Sequence, residues 1–323
     1  MQKKKVGVLT SGGDAPGMNA AIRAIVRSAE LEGYEVYGVE RGYQGLIDGE
    51  IKRLTSLSVT DIIHKGGTFL YSGRCEEFRT PEGRLKAKAS CQKFGIDVLI
   101  VLGGDGSLEG AIKFSKLGIP CIGLPVTVDN DVVSSEYSIG FDSAINTATE
   151  MIDKIRDTAR SHGRCLIVEV MGRDSGNLAL SVAVACGAAA VLIPEIDGAS
   201  SEEILIDNIL GRKNIGMHGL LVVVSEGYKN KHRISDLIAK KVGCDVRTSV
   251  LGYVQRGGSP TAKDRVVASQ MGEFAIRLIK KGKLNRAAVV IGGNIVDVEL
   301  DEVLRPREGN TMDLYGLMNI VSK

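Results

Sequence analysis

Two short loops in this chain carry the residue types from which phosphoryl transfer is built. Gly103-Gly104-Asp105-Gly106-Ser107 and Pro125-Val126-Thr127-Val128-Asp129-Asn130-Asp131 each follow a short apolar run. In the first, glycines allow backbone amides to converge on phosphate oxygens, and the N-terminus of a following helix adds a favourable field. Asp105 suits Mg2+, held directly or through water. The same residues also suit a plain strand-to-helix connection capped by Asp105 or Ser107. The spacing is neither that of a P-loop nor that of a dinucleotide fingerprint, so neither mechanism transfers. In the second loop Asp129 and Asp131 are two residues apart and point the same way if the backbone is extended. A carboxylate placed there can act as base toward a sugar hydroxyl, a task that needs position more than strong basicity, with Thr127 adding a hydrogen bond. An Asx-turn over Asp-Asn-Asp is the competing reading.

Cations complete the set. Arg164, Arg173, Arg247 and Arg256 lie beside predicted strand ends or glycine loops, where bidentate contacts to phosphate are feasible. Each alone reads equally well as a surface ion-pairing residue; their shared placement points to a sugar-phosphate substrate. Arg23 and Arg27 are four apart, so they share the polar face of a predicted helix and form either a separate anion site or a solvent face. His64, His162, His218 and His232 show no metal-ligand spacing. The six cysteines form no C-x-x-C pair and read as buried, reduced thiols.

The elements that must position these loops repeat a single unit. Residues 6–10 read as a buried strand and Ser11-Gly12-Gly13-Asp14-Ala15-Pro16-Gly17 as the turn after it. Met18, Ala21, Ile22, Ile25, Val26 and Ala29 then share one helical face, Gly33 ends it, and residues 36–39 form the next strand. Residues 98–102, the glycine loop, a helix from about 108 to 117 and a strand at 120–124 repeat the pattern. Parallel strands covered on both faces are continuously apolar, as these are. In such sheets ligands gather at strand ends, so the Gly12-Gly13 amides can lie beside the first loop. A second α/β set follows: a helix marked by Ile145, Ala148, Ile152, Ile155 and Ala159, strands at 165–170, 190–193 and 220–224, and a helix stopping at Gly243. After Gly257-Gly258-Ser259-Pro260, a helix with Val266, Ala268, Met271, Ala275, Ile276 and Ile279 as its buried stripe leads to a strand at 287–291. The soft boundary falls near residue 140.

Composition excludes several classes of function. With 323 residues, 44% hydrophobic and 25% charged, the chain has a core and is not disordered. A net charge of +2, from 41 basic against 39 acidic residues, gives no long-range field for nucleic acid. The apolar run after the basic start is too short for a signal peptide, and no stretch reaches membrane-spanning length. The expected compartment is the cytoplasm, with no nucleic-acid and no membrane partner.

At this point the sequence resembles the bacterial ATP-dependent 6-phosphofructokinase family, nearly end to end. The matching stretches are residues 7–19, Gly66-Gly67-Thr68, Gly103 to Ser107, Thr127 to Asp131, Met171-Gly172-Arg173 and Gln255-Arg256-Gly257-Gly258-Ser259-Pro260. The resemblance implies the phosphofructokinase fold, an α/β subunit of two Rossmann-like three-layer domains. Residues 1–140 with 256–307 would be the ATP-binding domain, and residues 141–255 with 308–323 the fructose 6-phosphate-binding domain. It further implies a homotetramer that uses ATP and Mg2+ in glycolysis, with a nucleoside diphosphate or phosphoenolpyruvate effector bound between subunits.

Carried over position by position, Gly13, Tyr43, Arg74, Cys75, Asp105, Gly106, Ser107 and Gly110 resemble the ATP and Mg2+ residues. Thr127, Asp129, Asp131, Met171, Gly172, Arg173, Glu226 and Arg256 resemble those for fructose 6-phosphate, with Arg164 and Arg247 reaching in from a neighbouring subunit. The implied roles make Asp129 the acceptor of the C1 hydroxyl proton, Arg173 and the Gly13 amide stabilisers of the transferring group, and Asp105 the magnesium residue. Arg23, Arg27, Asp61 and Arg156 match the effector site.

The chain departs from that pattern in three places. Val126 stands where ATP-dependent members carry glycine and pyrophosphate-dependent relatives lysine; those relatives also carry aspartate in place of Gly106. ATP is therefore the expected donor, with Val126 adding bulk near the phosphates. Tyr253 replaces a substrate-binding histidine, and its phenol can donate a hydrogen bond but carries no imidazolium charge. Ala189 replaces a metal-associated glutamate, and Asn214-Ile215-Gly216-Met217 replaces a basic run after Arg212 and Lys213, which weakens the expected binding of charged effectors. The alternatives are a pyrophosphate-dependent or other sugar-phosphate kinase, and a non-catalytic regulatory subunit.

Overall fold

A computed structural model describes residues 3–196, 198–217, 219–305 and 311–322. His218 and the tract at 306–310 therefore lie outside the described residues. In chain order the elements are β1 (Lys5–Thr10), α1 (Met18–Leu31), β2 (Glu35–Val39), α2 (Gly42–Asp48), β3 (Ile51–Leu54), α3 (Pro81–Phe94), β4 (Val98–Gly103), α4 (Asp105–Ser115), β5 (Cys121–Pro125) and α5 (Phe141–Ser161). They continue as β6 (Cys165–Val170), α6 (Asn177–Ala185), β7 (Ala190–Leu192), α7 (Ala199–Asn214), β8 (Leu221–Ser225), α8 (Lys231–Val242), β9 (Val246–Val250), α9 (Ala262–Lys280), β10 (Arg286–Ile291), β11 (Asn294–Glu299) and α10 (Thr311–Val321).

The chain divides into two compact units. The first comprises Met1–Thr127, Asp131–Ser143 and Arg256–Arg307; the second comprises Val128–Asn130, Ala144–Gln255 and Glu308–Lys323. The first is built on a seven-stranded sheet in the order β11-β10-β5-β4-β1-β2-β3. Its five central strands are parallel, and β3 and β11 join antiparallel at the edges. All six residues of β4 are buried, as a strand covered on both faces requires. The second unit holds a parallel four-stranded sheet, β7-β8-β6-β9.

The apolar stripe of α1 is buried as its spacing dictates. The stripe expected on α9 needs one correction: Val266 is 56% exposed, and the buried face instead takes in Asp264, Gly272 and Leu278. The helix after the glycine loop begins at Asp105 rather than near residue 108, so the loop itself supplies the first helical turn. Weakly patterned elements had no sequence counterpart. Helix α3 buries only Gly83, Ala87 and Cys91, and is announced instead by its Thr80 cap and Pro81. Strand β9 is a half-exposed edge with polar Arg247, Thr248 and Ser249 at its centre. Strand β11 returns from β10 through Gly292 and Gly293, both at positive φ, a two-residue hairpin turn that glycine adopts readily.

Candidate active site

Within the first unit, β4 and β5 are hydrogen-bonded neighbours, with Gly103 opposite Pro125. The two glycine-and-acid loops therefore leave adjacent strand ends, and a Cβ built on Gly104 would lie 3.5 Å from Thr127 Cβ. The Val126 amide donates to the Gly103 carbonyl at 3.0 Å, and the Thr127 amide to Ile139 at 3.1 Å. Asp105 sits in the first turn of α4, where its Oδ1 accepts from the Gly106 amide at 2.6 Å and the helix field favours its negative charge. A Cβ on Gly106 would meet nothing within 4 Å, so the surface beside Asp105 is open. One half-buried hard carboxylate with space beside it suits Mg2+, which ordinarily keeps waters and takes its remaining ligands from substrate phosphates. Among the described residues no cluster of three or more His, Cys, Asp or Glu could form a protein-only metal cage.

Around this pair stand the other donor-side candidates. Ser107 Oγ donates to the Ser11 carbonyl at 2.9 Å, tying α4 to the turn after β1. Gly13 is exposed, and a Cβ there would lie 2.9 to 3.1 Å from three atoms of the Arg256 guanidinium, so this arginine rests on the bare glycine backbone. Arg74 is exposed and Cys75 half-buried, in a loop whose Gly73 carbonyl accepts from the Gly12 amide. Cys75 Sγ faces Gln44 Oε1 at 3.2 Å. Tyr43 is only 4% exposed: its ring stacks on Phe78 at 3.8 Å, its hydroxyl donates to the Ser107 carbonyl at 2.8 Å, and it packs under Gly110. Burial raises its phenol well above the ordinary range.

The acceptor loop is turned, not extended. Asn130 is left-handed at φ 49°, so Asp129 and Asp131 do not share the orientation that an extended backbone would give them; Asp129 is buried and Asp131 half-buried. In the second unit Asp129 Oδ2 lies 4.0 Å from Arg173 Nε. Arg173 itself is left-handed at φ 52°, following Gly172 at φ 139°. Glu226, just beyond β8, holds that strained residue by accepting its amide at 2.8 Å. A Cβ on Gly227 would come within 2.0 Å of the Arg173 carbonyl, so the glycine is required for the approach. Met171 is buried, and its amide donates to Oε1 of fully buried Gln255 at 3.3 Å. Asn177, at the start of α6, donates to the Asn130 carbonyl at 2.8 Å. Gln255, quoted from sequence only within a matching stretch, and Asn177 were given no site role from sequence; each acts on backbone, which leaves no compositional trace. Arg164 and Arg247 converge on Asp245, at 2.7 and 3.2 Å.

A phosphofructokinase family profile matches residues 5–279. The chain is 47% identical over 323 residues to an ATP-dependent 6-phosphofructokinase of Clostridioides difficile (strain 630), covering 99% of both chains. It is also 47% identical over 319 residues to one of Shouchella clausii (strain KSM-K16), again with 99% of each covered. The chain belongs to the bacterial ATP-dependent 6-phosphofructokinase family. Among solved structures, phosphofructokinase from Saccharomyces cerevisiae superposes with a TM-score of 0.92 at 31% identity, over 98% of this chain. The chain spans about half the length of that yeast protein, 50%.

Within this 6-phosphofructokinase framework, the departures read from sequence take physical form. Val126 is fully buried, bridged to Ile139, so its side chain adds no bulk to the loop surface. Tyr253 is 80% exposed. Of the effector positions, Arg23 is half-buried and Arg27 exposed on α1, and Asp61 is exposed at φ 56°. Arg156, on α5 in the second unit, donates through Nη2 to the Cys186 carbonyl. Ala189 is fully buried. Arg212 is spent on the carbonyls of Gly187, Val321 and Ser322, and Lys213 on that of Val242. Burial and the nearby charge of Arg156 lower the Arg212 pKa.

Proposed function

We propose that this chain transfers the terminal phosphoryl group of ATP to the C1 hydroxyl of fructose 6-phosphate, giving fructose 1,6-bisphosphate in glycolysis. The observation that carries the residue assignment is the buried Asp129 carboxylate 4.0 Å from Arg173, in the loop that leaves β5 beside the glycine loop of β4. In this reading the Gly104, Gly106, Ser107 and Gly110 backbone and the Arg74 and Cys75 loop bind the donor, and Asp105 holds Mg2+. The metal, when bound, supplies charge neutralisation on the phosphates. Asp129 accepts the C1 hydroxyl proton, while Thr127 and Asp131 orient the sugar. In this reading Arg173 and the Gly13 amide stabilise the charge developing on the transferring group, a role that needs fixed donors rather than covalent chemistry. Arg256, Met171, Gly172, Glu226 and Tyr253 shape the sugar-phosphate site. The burial of Val126 and the open space at Gly106 support ATP over pyrophosphate as donor.

The finer assignments belong to the same reading. The first unit is the nucleotide domain and the second the sugar-phosphate domain of a cytoplasmic homotetramer. Arg164 and Arg247 serve a neighbouring subunit's substrate, and Arg23, Arg27, Asp61 and Arg156 are what remains of an effector site for a nucleoside diphosphate or phosphoenolpyruvate. No helix among the described residues is long and apolar enough to cross a membrane.

The decisive test is Asp129→Asn, which keeps size and removes the basic oxygen. Turnover is expected to fall about 10²- to 10⁴-fold, the range for a positioned general base, with both KM values little changed. Near-wild-type turnover would remove Asp129 from the role assigned to it.

A further inference from the structure

One fully buried acid, Asp264, lies outside the residues assigned above. Asp264 is fully buried in the first turn of α9, three residues after Thr261, whose hydroxyl caps the helix by accepting the Asp264 amide at 3.2 Å. In a capping box the acid at this position turns back to the cap residue's own amide. Here it does not. Ser143 Oγ accepts the Thr261 amide at 2.9 Å and donates its own hydrogen bond to Asp264 Oδ2 at 2.6 Å, while the Ser143 amide donates to the same oxygen at 2.8 Å. Asp264 Oδ1 accepts from the Tyr137 hydroxyl at 2.6 Å and from the Gly140 amide at 2.8 Å. Four donors therefore converge on one carboxylate, all from the segment 137–143.

That segment borders the chemistry on two sides. Ile139, between the anchored residues 137 and 140, pairs with the acceptor loop: its carbonyl takes the Thr127 amide and its amide donates to Pro125, both at 3.1 Å. On the other side, a Cβ on Gly140 would meet Ala15 Cβ at 2.6 Å, and one on Gly17 would meet Ile139 Cγ2 at 2.6 Å, so the segment is also pressed against the turn that begins at Gly12 and Gly13. We infer that Asp264 is a positioning residue for phosphoryl transfer: it fixes residues 137–143, and through Ile139 fixes Thr127 and the start of the acceptor loop against the Gly12–Gly17 turn. The inference rests on the assignment of the acceptor loop made above. Asparagine cannot replace the acid, because its Nδ2 would face a backbone N–H that cannot reverse, whereas a hydroxyl can.

Asp264→Asn tests the inference through two independent readouts, steady-state kinetics of the full-length enzyme and amide hydrogen exchange over residues 125–143. We expect kcat per folded active site to fall about 10- to 100-fold, the cost of a displacement near 1 Å, with KM for ATP unchanged. Exchange protection should be lost at Thr127 together with Gly140 and Ser143. Tyr137→Phe, which removes a single donor and keeps the ring, should show a smaller effect of the same kind and guards against an Asp264 variant that does not fold. A lowered melting temperature with kcat and Thr127 protection intact in both variants would overturn the inference and leave Asp264 a purely structural acid. Wild-type enzyme that fails to phosphorylate fructose 6-phosphate would instead refute the proposed function; Thr127 exchange would then still decide whether Asp264 holds the loop.

Discussion

Replacing Gly13 by alanine separates a steric effect on one arginine from everything else in the site. Gly13 is exposed and does not have positive φ, so its backbone accepts alanine without strain. What the new methyl meets is the Arg256 guanidinium, at 2.9 Å from Cζ, 3.0 Å from Nη1 and 3.1 Å from Nη2. Non-bonded carbon contacts settle at about 3.5–4.0 Å, so the planar group must retreat by roughly half an ångström or more. A guanidinium that grips phosphate through two parallel hydrogen bonds tolerates such a shift poorly. Losing about 1.4 kcal/mol of that contact corresponds to a tenfold rise in KM for fructose 6-phosphate. The Gly13 amide is itself assigned to the transferring group, so kcat should fall as well, by about tenfold or more.

The assay is initial-rate kinetics with each substrate varied at saturation of the other, accompanied by thermal melting. Gly12→Ala is the contrast. Gly12 sits at φ 87°, where a side chain costs about 1–3 kcal/mol of backbone strain, so that variant should lose stability where Gly13→Ala should not. Unchanged kinetics in Gly13→Ala at unchanged melting temperature would refute the claim that Arg256 is seated by the bare glycine.

Further expectations follow from burial and charge. Val126→Ala should lower stability by about 1–3 kcal/mol through a small cavity and leave the rate with ATP relative to pyrophosphate unaltered; a changed donor ratio would put Val126 back at the phosphate surface. Thiol-reactive reagent applied to the native enzyme should label half-buried Cys75 and Cys244 well before Cys91, Cys121 and Cys165, as read by peptide mapping. Burial pushes the Cys91 and Cys165 thiols up to about 12. Their protons are thus retained in the fold but lost from the unfolded chain above about pH 8.5, so stability should decline as pH rises from there toward 12; early labelling of Cys91 in folded protein contradicts this. Asp245→Asn, at a half-exposed site, should cost no more than about 1 kcal/mol of stability yet change KM for fructose 6-phosphate if Arg164 and Arg247 serve a neighbouring subunit. With Arg212 and Lys213 committed to carbonyls and Ala189 buried, ADP should change the rate at subsaturating fructose 6-phosphate only weakly; strong activation would show a working effector site.

Strands buried on both faces leave a dense sequence signal, and β1, β4, β5, β6 and β8 were legible from unbroken apolar runs. The loops they carry were legible as candidates because glycines and acids directly follow such runs, although a capped connection or an Asx-turn has the same residue types. What escaped was written in backbone. Glu226 was named as a substrate residue, but not its hold on the Arg173 amide, nor those of Gln255 on the Met171 amide and Asn177 on the Asn130 carbonyl, all main-chain groups that every residue possesses. Val126 misled in the opposite direction, because its position in the loop says nothing of the bridge to Ile139 that turns it inward.

Asp264 shows where the limit lies. Thr261 and Asp264 have the spacing of a helix cap, and local rules stop there. The carboxylate's actual partners are Tyr137, Gly140 and Ser143, more than a hundred residues earlier, and nothing in their types announces the pairing. A buried acid with four donors is costly to assemble, since an unmet donor or acceptor at any of those positions forfeits about 1–3 kcal/mol. The arrangement therefore constrains the 137–143 segment far more tightly than apolar packing would. Constraint of that kind matters most where a loop must be held to a fraction of an ångström. The segment it constrains is the one whose Ile139 carbonyl holds Thr127, at the start of the loop that carries Asp129.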